Sequence, residues 1–218
     1  MLCSSLIPTA FAGNQLTAFL VVICFASGLN VYATVAALGL LAHAEILTLP
    51  SGLGMLGSWY VIGAAVVLFA VEFVGDKIPV FDLLWNALHT FVRIPVAALL
   101  AYAATTQLPE WQRLSATLVG ALIALAAHGG KIAARSAITQ FPEPFSNVAL
   151  SLSEDAAVVF LTWFATKHAY AAAAIVVAAL GIIAIMIRIV ARAMRTLLRN
   201  ADSEFHANRD VASTRRAS

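Results

Sequence analysis

Six long apolar runs, separated by short polar segments, dominate the pattern of hydrophobic and polar positions along the chain. Most of them approach the roughly 20 residues that a helix needs to cross the hydrocarbon of a bilayer. The third run, which begins at Pro95, reaches that length only if it includes part of the preceding segment 82–93. The pattern predicts an all-α fold, a polytopic transmembrane helical bundle of about six spans. The runs are 15–41, 57–74, 95–106, 114–139, 147–166 and 168–190.

The composition favours a membrane protein. Hydrophobic residues make up 61% of the 218 positions and charged residues only 11%, and the mean hydropathy is +0.90. A soluble domain carries charges at roughly a quarter of its positions. A very apolar soluble helical bundle is the alternative that this composition disfavours.

The runs divide the chain into two membrane halves, 15–106 and 114–199, which a short non-cytoplasmic loop, 107–113, connects. The N-terminal segment 1–14 contains no Lys or Arg, so it lacks the positive region of a secretory signal. The tail 200–218 is polar, mixed in charge and without apolar periodicity, and is therefore predicted to be disordered.

The distribution of Lys and Arg predicts the orientation, because positively charged loops stay on the cytoplasmic side. With six spans, one side receives most of the basic residues, whereas the other receives only Arg113 and Lys167. Both termini are therefore expected in the cytoplasm. The basic residues assigned to the cytoplasmic side are Lys77, Arg93, Lys131, Arg135, Arg188, Arg192, Arg195 and Arg199.

The last four of these arginines recur at spacings of four, three and four residues. This spacing places them on one helical face at the membrane boundary. We interpret the face as a contact with anionic lipid headgroups, and not with nucleic acid.

Two stretches, 26–34 and 127–135, share a glycine that is followed by polar residues at helical spacing. If the chain is two three-span halves that begin on opposite sides of the membrane, the halves form an inverted 3+3 repeat. Such a repeat with glycine-broken helices is a common plan of secondary transporters. Glycines that only allow close helix packing are the alternative. The polar residues are Asn30 and Thr34 in the first stretch and Lys131 and Arg135 in the second.

Ser153, Glu154 and Asp155 lie in the middle of an apolar run. A charge at such a depth costs about 2.5–3.5 kcal/mol on insertion scales, so these carboxylates are expected to face a polar site inside the bilayer. Adjacent helical residues point about 100° apart, so the two acids should face different partners. Lys131 and Arg135 are the natural partners, in either a binding site or a structural salt bridge.

Glu72 and Asp76 close the second run at a spacing of four residues, with Lys77 beside them. On one helix the two carboxylates repel each other unless a proton, a cation or a basic side chain lies between them, so they form a candidate cation or proton site. Pro79 argues instead that the helix ends near residue 77, which would leave Asp76 and Lys77 in a cytoplasmic turn. The candidate metal ligands are Glu72, Asp76, Glu154 and Asp155.

Other chemistry finds little support. Cys3 and Cys24 are too few for a disulfide framework or a metal site, and the histidines lack metal-ligand spacing. His128 is interpreted as a buried or interfacial histidine, with a part in proton transfer as the alternative. No nucleophile elbow, P-loop or dinucleotide motif occurs, so neither enzymatic activity nor a cofactor is expected.

Three motifs follow one another along the membrane region: SGLNVYAT at 27–34, VEFVGDKIP at 71–79, and PEPFSN at 142–147 with SED after it. They resemble a bacterial integral-membrane family, DUF4126, a domain of unknown function. The resemblance covers roughly 28–188 and implies a multi-pass protein of the bacterial inner membrane, without supplying an activity or a substrate. A looser similarity is to the Glu-x-Gly-Asp-Lys motif of cation exchangers, from which EFVGDK at 72–77 differs by one additional residue.

These features favour a small membrane transporter, coupled to a proton or a cation, for a small ion or an anionic solute. The alternatives are a non-transporting scaffold or lipid-binding protein whose buried charges are structural salt bridges, and an enzyme acting on a lipid headgroup. A chain of 218 residues encloses only a modest cavity, so a homodimer is compatible with each function. The candidate binding residues are Asn30, Thr34, Glu72, Asp76, Lys77, Lys131, Arg135, Ser153, Glu154 and Asp155, with Arg188, Arg192, Arg195 and Arg199 for lipid headgroups.

Overall fold

The computed structural model describes residues 13–75, 79–138 and 144–217, and all regular secondary structure in these ranges is helical. The all-α prediction is confirmed for this part of the chain, while nearly all of the predicted N-terminal segment 1–14 lies outside it. The described elements are α1 (Gly13–Leu29), α2 (Val31–His43), a 3₁₀ helix (Ser51–Gly57), α3 (Trp59–Gly75), α4 (Pro79–Ala104), α5 (Glu110–Ile138), α6 (Pro144–Lys167) and α7 (Ala169–Ala217).

The outside of the described helices is strongly apolar. Large side chains such as Val67 of α3, Phe91 of α4 and Leu118 of α5 are exposed, although soluble proteins rarely expose continuous apolar surfaces. Within the described ranges, three helical segments are long and apolar enough to cross a membrane, or four if the 3₁₀ helix and α3, which meet at 67°, form one bent span. These features indicate a membrane protein. The three segments are Glu110–Arg135, Val148–Lys167 and Ala169–Ile189.

The third apolar run is part of a longer helix. α4 comprises 26 residues, contains Pro95 in its interior and includes the preceding segment 82–93. At 1.5 Å per residue it is about 39 Å long. Pro95 lacks the N–H that would bond the carbonyl of Phe91, but the helix continues through this position. The run therefore extends an existing helix and does not begin one.

The first apolar run folds as two helices because the chain is interrupted at Asn30. This residue has extended backbone angles, φ −150° and ψ 103°, and its side-chain oxygen accepts a hydrogen bond from the backbone N–H of Ala33 at 3.0 Å. It therefore caps the N-terminus of α2. The expected interruption is present, but an asparagine causes it and not a glycine.

The expected second interruption, at Gly129 and Gly130, is wrong. α5 is helical from Glu110 to Ile138 and passes through both glycines. No capping residue follows them in the way that Asn30 follows Gly28, and a glycine alone costs a helix only about 1 kcal/mol. The two stretches that look alike in sequence therefore differ in backbone conformation.

α1 lies at the centre of the described bundle, where it packs against α2, α4, α5 and α6. A Cβ atom on Gly28 would lie 2.4 Å from the carbonyl oxygen of Ala124, so α1 and α5 meet there backbone to backbone. Cys24, Ala97 and Ala101 join Ala124 in a neighbouring cluster of small buried residues. Such residues allow helices to approach closely. Gly28 therefore allows close helix packing, which is the alternative that the sequence offers for this glycine. The packing brings the end of α1 next to α5.

The chain forms two compact units, one ending at Leu180 and the other comprising Gly181–Ser218. The second unit contains the C-terminal part of α7, which is helical as far as Ala217. Residues 200–217 are therefore helical, where the sequence predicts a disordered tail. No Gly or Pro occurs after Gly181, so no strong helix-terminating residue precedes the C-terminus.

Candidate functional site

An ion pair between Glu72, close to the end of α3, and Arg93, in the middle of α4, forms one end of a buried charge network. Both side chains are completely buried, at 0% exposure. Removing one ionised side chain from water costs several kcal/mol, so each of these charges requires the other. The pair ties α3 to α4.

Lys131 of α5 continues the network and connects three other helices. Its ammonium lies 3.8 Å from Oε1 of Glu72 and 3.2 Å from Oε2 of Glu154 on α6. It also donates to the backbone carbonyl of Leu29, the last residue of α1, at 3.2 Å. Lys131 therefore lies among oxygen atoms from α1, α3 and α6.

Arg135, one turn further along α5, completes the network. Its guanidinium donates to Oε2 of Glu154 at 3.0 Å, the same oxygen that Lys131 contacts. The Glu154 side chain is 10% exposed, so this end of the network is slightly more accessible than the Glu72 end. The described order of contacts is Arg93, Glu72, Lys131, Glu154 and Arg135, with cations and anions in alternation.

The helix break at Asn30 supplies the second part of the site. The amide nitrogen of Asn30 donates to Oδ1 of Asp155 at 2.9 Å, which joins the break to α6. Thr34, one turn into α2, donates its hydroxyl to the carbonyl of Asn30 at 2.8 Å. The three side chains are almost completely buried. Glu154 and Asp155 thus face different partners, as their angular separation on α6 requires.

His128 extends the network toward α4. Its Nδ1 lies 3.0 Å from the guanidinium of Arg93, and its Nε2 lies 2.7 Å from the hydroxyl of Thr90. Arginine can only donate hydrogen bonds, so Nδ1 accepts and the ring proton belongs on Nε2. The interpretation of His128 as a buried histidine agrees with these contacts, and one of its two partners, Arg93, is a member of the charge network.

A second histidine contact lies beside the network. The hydroxyl of Tyr32, in the first turn of α2, lies 2.9 Å from Nε2 of His89 on α4. The two rings meet edge to face, with centroids 5.4 Å apart. His89 is buried, whereas Tyr32 is partly exposed. This pair links α2 to α4 one turn before Arg93.

The structure brings together most of the described candidates from the sequence. Ser153 is an exception: it is exposed and donates to the carbonyl of Leu150 within α6. Asp76 and Lys77 lie outside the described residues. Among the described residues, no three His, Cys, Asp or Glu side chains are grouped to hold a metal ion, and Glu72 and Glu154, two of the proposed metal ligands, both contact Lys131.

Arg93 is buried in the bundle, as are Lys131 and Arg135. The distribution of basic residues assigns all three to the cytoplasmic side of the membrane, and this assignment is wrong. They therefore give no support to the orientation, which now depends on the other basic residues. The sequence contains a signal for the burial of Arg93. The Pro95 run reaches the length of a span only with the segment 82–93, and this segment includes Arg93.

The four arginines assigned to lipid headgroups lie on the C-terminal part of α7, and all four side chains are exposed. Their helical spacing matches the prediction of one face. Arg192 also provides the carbonyl that accepts a hydrogen bond from Thr196 at 3.1 Å, which is an ordinary contact within the helix. The face is Arg188, Arg192, Arg195 and Arg199.

A family model described as a domain of unknown function, DUF4126, matches residues 18–189. The chain belongs to the DUF4126 family. The match begins inside α1 and ends in α7, so every member of the charge network lies within the DUF4126 domain. Of the α7 arginines it includes Arg188 only. No curated protein and no solved structure matches the chain.

Proposed function

We propose that this chain is a small integral-membrane transporter of the bacterial inner membrane, coupled to a proton or a cation. The proposal includes six spans, with α1 and α2 as one interrupted span, and both termini in the cytoplasm. It also includes an inverted relation between the halves 15–106 and 114–199. The transported substrate is a small ion or an anionic solute.

The position of Lys131 carries the proposal. Its ammonium is shared between Glu72, which belongs to the first half, and Glu154, which belongs to the second. A buried ion pair contributes little net stability, since an apolar replacement often folds as well. Charges at this depth are usually retained for substrate or ion pathways, and interrupted helices are common at such sites.

The geometry suits a coupling mechanism in which Lys131 changes partners. A proton or cation that neutralises Glu154 weakens the contact of this carboxylate with Lys131 and leaves the ammonium to Glu72. Because these acids lie on helices of different halves, the exchange alters the electrostatic attraction between the halves. This attraction favours one arrangement of the halves over another, as alternating access requires.

Electrical recordings on a solid-supported membrane test the proposal. Proteoliposomes receive concentration jumps of H⁺, Na⁺, K⁺, Mg²⁺ or inorganic phosphate, and the transported charge is measured. We expect a current in the wild type that is lost in Glu154→Gln and retained in Glu110→Gln, because Glu110 is exposed at the start of α5. Absence of current in every jump, or equal currents in both variants, would contradict the proposal.

A structural role of the network is the second candidate function. The contact of Arg135 with Glu154 at 3.0 Å favours it, because α5 and α6 have few other contacts. In this case the chain is a scaffold or lipid-binding protein, and the ion pairs hold its helices together. The double reversal Arg135→Glu with Glu154→Arg should then restore the folding that each single reversal abolishes. Failure of the double variant to fold would count against this candidate.

A further inference from the structure

The oxygen atoms around Lys131 resemble the ligands of a small cation. The ammonium contacts a backbone carbonyl and two carboxylates, and the Lys131 side chain is 0% exposed. Carbonyl and carboxylate oxygens are the usual protein ligands of hard cations. In this protein the Lys131 ammonium, which is covalently attached to the chain, lies where a free cation would bind to these oxygen atoms.

The carbonyl is available because of the helix break. In an uninterrupted helix the carbonyl of Leu29 would accept a hydrogen bond from the N–H of Ala33, four residues later. That N–H donates instead to the side-chain oxygen of Asn30 at 3.0 Å. The side chain of Asn30 therefore accepts the hydrogen bond of the Ala33 N–H, and the Lys131 ammonium donates to the carbonyl oxygen of Leu29 at 3.2 Å.

We infer that the backbone carbonyl of Leu29, which the cap at Asn30 leaves available, and the carboxylates of Glu72 and Glu154 form a monovalent-cation site that the Lys131 ammonium fills as a tethered occupant. The ammonium lies 3.2 Å from the Leu29 and Glu154 oxygen atoms and 3.8 Å from that of Glu72, and these distances exceed the about 2.0–2.6 Å typical of Mg²⁺ and Ca²⁺. The free cations that fit in place of Lys131 are therefore ammonium, methylammonium and K⁺. Tetramethylammonium, whose four methyl groups keep its charge away from the oxygen atoms, does not fit.

The inference gives the coupling ion, and this step depends on the proposed transport function. Under the proposed mechanism the coupling ion neutralises Glu154. A proton from water does so by bonding to one carboxylate oxygen, whereas a metal cation would need the oxygen atoms that the Lys131 ammonium already contacts. The coupling ion is then H⁺ and not a metal cation. The described titratable and charged groups of the network around Lys131 are Glu72 on α3, Arg93 on α4, His128 and Arg135 on α5, Glu154 on α6, and Asp155 on α6, which Asn30 contacts.

Binding of methylammonium to purified Lys131→Ala tests the site without any transport assay. Selective binding stabilises the folded protein, so the melting temperature in detergent should rise with the methylammonium concentration. We expect a dissociation constant about ten-fold or more below that of the wild type. Tetramethylammonium should have no effect. Lys131→Met, which fills the vacated volume, and Lys167→Ala, which removes an exposed lysine, should both behave as the wild type does.

An equal response of wild type and Lys131→Ala to methylammonium would overturn the inference. If Lys131→Ala folds only when methylammonium is present during purification, the dependence supports it, and a variant that remains unfolded with methylammonium, ammonium and K⁺ overturns it. These results do not depend on the current measurements proposed above. Loss of transport with intact cation binding would therefore reject the function and keep the site.

Discussion

Replacement of Arg93 by methionine removes the cation that neutralises Glu72. Both side chains are completely buried, and Arg93 also donates to His128 at 3.0 Å. Breaking a buried ion pair by removing one partner destabilises proteins by about 3–5 kcal/mol, because the remaining charge stays buried. Methionine keeps most of the volume of the side chain, so a cavity contributes little. We expect a loss of about 3–5 kcal/mol for Arg93→Met.

Thermal unfolding in detergent measures this loss. For a chain of this size each kcal/mol lowers the melting temperature by roughly 2–4 °C, so a decrease on the order of 10 °C is expected. Arg113→Met is the matched control, because the guanidinium of Arg113 lies over the ring of Tyr102 at 3.9 Å in a partly exposed position. Such a contact contributes only about 0.5–1 kcal/mol at an exposed site.

The double variant Arg93→Met with Glu72→Gln separates charge from packing. It removes both charges, so it should recover more than half of the stability lost in Arg93→Met. Two results would refute the reasoning: equal melting temperatures for Arg93→Met and Arg113→Met, or a double variant that is no more stable than the single one.

Three further predictions follow from the break, the helix contacts and the tethered ammonium. Asn30→Ala removes the cap of α2 and the hydrogen bond to Asp155, so we expect a loss of about 2–4 kcal/mol in thermal unfolding. Gly28→Ala places a Cβ 2.4 Å from the carbonyl oxygen of Ala124 and should destabilise the folded protein by about 1–3 kcal/mol. Gly129→Ala, with nothing within 4 Å of the new Cβ, should stabilise it by about 0.5–1 kcal/mol. Equal effects of the two variants would contradict the packing argument. In the electrical recordings a pH jump should produce wild-type current, and Na⁺ or K⁺ jumps at constant pH should produce none.

The sequence identifies the helices well because membrane solvation imposes a simple rule on local composition. Each apolar run falls on one helix or, for the first run, on two. The pairing of Lys131 and Arg135 with Glu154 was also predictable, since a buried carboxylate needs a cation and these residues lie one turn apart on the preceding helix. The motifs that predict the DUF4126 family lie within its match at 18–189, and so do all the described residues of the charge network.

Local sequence does not reveal which similar-looking segments share a conformation. Gly28 and Gly129 stand in comparable contexts, yet only the first is followed by a residue that takes the N–H of Ala33 from the backbone. Gly28 is required by the approach of Ala124 from a distant part of the chain. The conformation of the backbone at each glycine therefore depends on the side chains and helices around it.

By itself, the sequence determined the helical class, the apolar character of the helices and the requirement that the charges within them find partners. Only the tertiary structure decided which partners they have. Arg93 joins Glu72 because α3 and α4 meet, and Lys131 reaches both Glu72 and the carbonyl of Leu29 because α1 and α5 pack through small residues. Hydrophobicity is a property of each segment, whereas an ion pair between distant residues exists only when packing brings two segments together.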